Sequence, residues 1–164
     1  MSQSVSNFSI NKEDSIVTVN SAFAAPLEKV WASWTQSKLL DQWWAPQPYR
    51  IETKAMDFSI GGFWLYAMVS PENEKHWSRE DYEAIDELKS YSFLDSFCDE
   101  EGKVDNELPR SFWTNTFTKD GDQTLVNIVI KHDNPEDLQK TLDMGFKDGF
   151  TAGLENLGAL LAKG

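Results

Sequence analysis

Between Phe23 and Trp44 the chain reads FAAPLEKVWASWTQSKLLDQWW, a segment that carries four tryptophans, Trp31, Trp34, Trp43 and Trp44. Each indole brings about 200 Å² of largely apolar surface and one N–H that needs an acceptor. So many in so short a stretch require a thick core or a lined cavity. Pro26 has its φ preset for a first helical turn, and Leu27, Val30, Trp31 and Trp34 recur at helical spacing on one face. This predicts a helix over residues 26–35, with Trp31 and Trp34 turned into the core. Ser37 is placed to cap a second short helix over 38–44, which Pro46 and Pro48 end. The two helices form a bent arm.

The flanking sequence alternates as strands do. Residues 1–14 are polar and rich in Ser and Asn, and read as a flexible N-terminal arm. Val17, Val19 and Phe23 share one face of a first strand. Residues 49–55 alternate apolar and charged, Gly61-Gly62 marks a hairpin turn, and 63–69 resume as a strand with Trp64, Tyr66 and Met68 on one face. Residues 78–90 admit two readings. Propensity favours a helix capped by Ser78, with Tyr82, Ile85 and Leu88 in line, whereas Tyr82, Ala84 and Leu88 also alternate with acids. Two strands, 112–119 and 124–131, flank the hairpin signal Asp120-Gly121-Asp122, after an acidic loop over 99–109. Asn134, Pro135, Glu136 and Asp137 start a terminal helix expected to run unbroken to about Ala162. Its apolar side carries Leu138, Leu142, Phe146, Phe150, Leu154, Leu157 and Leu161. Gly145, Gly149 and Gly153 form a second stripe, which points to close backbone approach or vacant volume.

Composition narrows the function. With 164 residues, 40% of them hydrophobic, one domain over 15–164 is expected. Twenty-seven acids against 15 bases give a net charge of −12, which argues against binding nucleic acid or inserting into an anionic membrane. The lone Cys98 has no partner for a disulfide within the chain. There is neither a signal-like N-terminus nor an apolar run of the ~18 residues a membrane span needs. A soluble, cytoplasmic protein is expected.

No P-loop, GxGxxG, GxSxG, CxxC or HExxH motif occurs. His76 and His132 lie far apart, at expected strand ends, so neither a metal site nor a cofactor is expected. Cys98 sits among Asp95, Asp99 and Glu100, which oppose thiolate formation and make it a structural rather than a nucleophilic cysteine. Acid/base chemistry is left to Glu83, Asp86 and Asp95, should their strands turn them inward.

In this order of elements, four stretches carry a resemblance: AAPLEKVWASWTQSKLLDQWWAP at 24–46, Met56-Asp57-Phe58 leading into Gly61-Gly62-Phe63-Trp64, Thr114-Asn115-Thr116-Phe117, and GFTAGLENLGALLA at 149–162. The pattern resembles the START-like (SRPBCC) superfamily and, within it, the Hsp90 ATPase activator homologue (AHSA1-like) family. The resemblance implies an α+β helix-grip fold: a curved antiparallel sheet wrapped around a long C-terminal helix, two short helices after the first strand, and an apolar cavity between them. It also selects the strand reading for 78–90 and places Trp43 and Trp44 at the cavity mouth. The rings it would put around the cavity are Trp44, Trp64, Tyr66, Tyr82, Phe93, Trp113, Phe146 and Phe150, with the Tyr66 and Tyr82 hydroxyls as polar tips. The expected partner is a hydrophobic or aromatic small molecule. An acid/base enzyme of cyclase or hydrolase type is the alternative, and would need two polar groups within reach of one point in the cavity. A chaperone partner is the third reading. In members like the eukaryotic activator, that role is carried out by a larger protein with a separate N-terminal domain.

Overall fold

Period-two alternation organises most of the molecule. The computed structural model describes residues 4–163. Its strands are β1 (Ser4–Asn11), β2 (Ile16–Phe23), β3 (Arg50–Met56), β4 (Phe63–Val69), β5 (Lys75–Asp86), β6 (Ser90–Phe97), β7 (Ser111–Asp120) and β8 (Gln123–His132). All pair antiparallel in one curved sheet of order β1-β2-β8-β7-β6-β5-β4-β3. Val126, Ile128 and Ile130 of β8 lie beside Ser21, Val19 and Val17 of β2, and all six are buried on the inner face.

After β2 the chain makes α1 (Leu27–Thr35) and α2 (Ser37–Trp43), then rejoins the sheet at its far edge as β3. The bent arm therefore spans the inner face. Its hinge is Gln36, whose extended backbone ends one helix and starts the next. Ser37 is the first residue of α2 and makes no capping bond. Trp43 is fully buried and donates its Nε1–H to the Ser33 carbonyl at 2.9 Å, which locks the two helices together.

The C-terminal region departs from a single helix. It divides into α3 (Pro135–Asp143) and α4 (Phe146–Ala162). Gly145 stands between them with φ of +88°, a left-handed conformation that glycine adopts without strain and that ends α3. The Asn134 side chain accepts the Asp137 N–H at 2.8 Å, as its capping position predicts. Phe150, Leu154, Leu157 and Leu161 of α4 are buried.

One further expectation changes and another holds. Residues 4–11, read as part of a flexible arm, form edge strand β1 in continuous register with β2. Backbone pairing is indifferent to side-chain polarity, and Phe8 adds an edge-on contact to Phe150 at 6.3 Å. The polar stretch 75–86 is strand, the reading the resemblance selected for 78–90, and it lies between β4 and β6. Neighbouring strands here outweigh the helical propensity of the sequence.

Candidate ligand-binding site

The inner face of β4 to β7, under α2 and α4, gathers all eight aromatic residues expected around a cavity. Trp64 stacks on Tyr66 with centroids 3.9 Å apart, and Phe93 stacks on Trp113 at 5.4 Å. Trp44, next after α2, meets Trp64 at 6.0 Å, Trp113 at 5.9 Å and Phe150 at 5.8 Å. Phe146 stacks on Phe150 and stands edge-on to Trp113, while Tyr82 joins through Phe93. The rings thus form one connected network. Phe58, in the loop after β3, extends it by edge-on contacts with Tyr82 and Tyr91. Its position in a loop concealed it in the sequence.

Trp44 and Phe146 are half-buried, whereas Trp64, Tyr66, Phe93 and Trp113 are buried. Trp31 and Trp34 are buried core residues. Trp43 belongs with them, fully buried, and not at a cavity mouth. Trp44 alone is half-buried, at the rim of the ring network, because consecutive residues at the end of a helix point about 100° apart.

Three indole N–H groups of the network are satisfied by hydroxyls. Trp44 Nε1 donates to Tyr66 OH at 3.2 Å, Trp64 Nε1 to Thr53 Oγ1 at 3.1 Å, and Trp113 Nε1 to Ser111 Oγ at 2.9 Å. Thr53 in turn donates to Asp41 Oδ1 at 2.6 Å.

Beside these rings runs a polar row set by strand register. Trp64 faces Glu80, Glu80 faces Asp95, Asp95 faces Ser111, and Ser111 faces His132. Directly opposed residues on one face of an antiparallel sheet have Cβ atoms about 5 Å apart. Glu80 is only 4% exposed. Burial, reinforced by the Asp95 charge, pushes its carboxyl well above the usual range. Burial, with Asp81 nearby, lifts Asp95 to about 7. Asp95 Oδ1 is buried without a hydrogen-bond partner. Burial and the same two acids hold the Tyr66 hydroxyl protonated far above its ordinary range.

Of the three expected acids, Asp95 alone turns inward. Glu83 is exposed because it alternates with the inward Tyr82, and Asp86 because the β5–β6 register shifts between Tyr82 and Ala84, a bulge that reverses the facing of the even-numbered residues after it. Glu80 was missed by the sequence reading. The signal for it was parity with Ser78 and Tyr82 on β5.

The remaining candidates lie elsewhere. His76 is exposed, whereas His132 is 2% exposed with both ring nitrogens unpartnered, and burial lowers its affinity for a proton. Cys98 is half-buried, and desolvation raises its thiol to about 11 against the opposing pull of Arg79. Among the described residues no three His, Cys, Asp or Glu side chains gather to hold a metal. Two clefts, of about 340 and 380 Å³, flank Arg110 and Asp133 and include none of the eight rings. No described helix is long and apolar enough to cross a membrane.

A curved antiparallel sheet gripping a long C-terminal helix defines the helix-grip class of α+β proteins. The family described as Activator of Hsp90 ATPase homolog 1-like protein matches residues 24–162, and the chain belongs to that family. It is similar to protein Ms6760 from Mycobacterium smegmatis, with 30% identity and a TM-score of 0.87 over 94% of this chain and 95% of that one. It is similar as well to a protein from Arthrobacter aurescens, with 25% identity and a TM-score of 0.90 over 96% and 92% of the two chains. The AHSA1 protein from Silicibacter pomeroyi shares the fold at 20% identity and a TM-score of 0.69, over 90% of this chain and 97% of that one. No functionally curated protein matched the chain.

Proposed function

We propose that this protein binds an aromatic or apolar small molecule on the inner face of β4 to β7, beneath α4. The observation that carries the reading is the single ring network, buried at Trp64, Phe93 and Trp113 and half-buried at its rim, Trp44 and Phe146. Rings of this kind offer large contact area with a few hydroxyl tips, the composition of a small-molecule site. Entry requires the rim rings to swing aside, which half-buried side chains do more readily than buried ones.

A thermal-shift screen with aromatic and lipid-like compounds tests this, because a ligand that binds only the native state raises the unfolding temperature. Hits are expected, and Trp64→Phe and Phe150→Leu, which keep the site apolar, should weaken them. A screen without hits, or hits that both variants leave unchanged, would overturn the assignment.

A second reading, acid/base catalysis in the same place, is favoured by one observation: Glu80 and Asp95 face each other inside the network. A buried carboxyl held near neutrality is suited to proton transfer. Turnover of a bound compound, abolished in Asp95→Asn with binding retained, would establish it.

A further inference from the structure

The Glu80 and Asp95 carboxyls share the inner face with no cation for company. Neither makes an ion pair or a hydrogen bond among the described residues, although Glu80 is more than nine-tenths buried. The guanidinium of Arg79, the sequence neighbour of Glu80, is committed elsewhere. It alternates with Glu80 along β5, holds Asp81 through Nε and Nη2, and donates from Nη1 to the Gly102 carbonyl at 2.8 Å. The indole N–H groups that could have served the acids go instead to Tyr66, Thr53 and Ser111. Two acceptors are therefore left without donors in a wall of aromatic faces.

Such an arrangement is costly to the free protein and complementary to one kind of guest. A buried carboxylate gains most from a cation that also brings hydrogen-bond donors. Stacked Trp64 and Tyr66, with Trp44 edge-on, present the electron-rich π systems that attract a cation as well. Asp95 and Ser111 are only half-buried, so the row reaches toward the surface. The net charge of −12 favours the approach of a cation over that of an anion.

Resting on the ligand-binding reading above, we propose that the ligand is an apolar amine: an ammonium head held between Glu80 and Asp95, with its hydrophobic body against Trp44, Trp64 and Trp113. The acid pair then selects for charge and the rings select for shape.

Two isosteric probes separate this from the general reading. Naphthalen-1-ylmethylammonium and naphthalen-1-ylmethanol are titrated calorimetrically into the full chain at pH 7.5. The amine is expected to bind at least tenfold more tightly, and the preference should vanish in Glu80→Gln and Asp95→Asn while the alcohol still binds. Equal affinities in the native protein would overturn amine selection and leave small-molecule binding intact; binding of neither probe would overturn both. Because a variant can fail to fold, the amine is also followed on the native protein by amide NMR shifts. Shifts centred on residues 78–82 and 93–97 support the assignment, and shifts confined to other strands overturn it.

Discussion

Gly153 of α4 lies against the carbonyl oxygen of Trp44, where a Cβ would come within 3.1 Å of that oxygen and 3.4 Å of the Trp43 carbonyl oxygen. The end of α2 and the middle of α4 thus meet backbone to backbone. Asn156, one turn further along, donates to the Ala45 carbonyl at 3.0 Å and fixes the same contact. This approach places Trp44 over the aromatic network.

Gly153→Ala should therefore destabilise the protein although alanine is the better helix former by about 1 kcal/mol. Gly149 provides the control, since a Cβ there meets only Pro46 Cγ, at 3.9 Å, an ordinary contact. Gly149→Ala should raise stability by about 0.5–1 kcal/mol. Urea denaturation of the two variants checks the contrast, and two changes of the same sign would contradict it.

Asp95 gives a pH dependence with a definite sign. Its carboxyl titrates near 7 in the folded protein against an ordinary 3.8, so the folded state holds the proton more tightly than the unfolded chain does. Its contribution is full below about pH 4 and is lost as pH rises toward 7. Glu80, raised as well, acts in the same direction, and Tyr66 and Tyr82 beside it stay protonated throughout. Relative to the native protein, Asp95→Asn should gain stability between pH 5 and pH 8, by an amount on the order of a few kcal/mol. Melting temperatures measured at both pH values read this; parallel shifts in the two proteins would refute it.

His132 predicts the opposite slope. Burial lowers its proton affinity despite the Ser15 backbone and the Asp137 and Asp133 charges, so stability contributed by its neutral form is present above about pH 6.5 and lost as pH falls. Neither ring nitrogen has a partner. His132→Leu should leave stability at pH 7.5 unchanged or raised and flatten the decline toward pH 5. Chemical denaturation at the two pH values is the measurement.

Phe8 tests the edge strand. It is half-buried, edge-on to Phe150, with the Lys147 ammonium over its ring at 5.8 Å. Phe8→Ala should cost about 1–2 kcal/mol, roughly half the penalty of a fully buried phenylalanine. A flexible arm would show no loss.

Much of the site was legible because aromatic residues at fixed parity announce both strand and face. Trp64 and Tyr66 on β4, Phe93 on β6 and Trp113 on β7 could be placed on one wall from spacing together with the family resemblance. The acids could not. Glu80 and Glu83 have the same chemistry and lie three residues apart, yet one is buried and the other exposed. An odd spacing puts the two on opposite faces of β5, and pairing with β4 and β6 decides which face is inner; Asp86, which shares Glu80's parity, is turned outward by the bulge between Tyr82 and Ala84, and that leaves no mark in the composition of β5.

By itself, then, the sequence determined the elements whose physics is local: the helical faces of the Trp arm, the Asn134 cap, the β7–β8 hairpin and the apolar stripe of α4. Tertiary structure decided what depends on partners. It recruited a polar N-terminal segment as β1, since a strand is stabilised by the backbone beside it. It broke the terminal helix at Gly145, and it assigned Trp43 to the core and Trp44 to the rim. Most consequentially, strand register set Glu80 opposite Asp95, because which side chains meet across a sheet is decided by the alignment of distant segments and not by either segment alone.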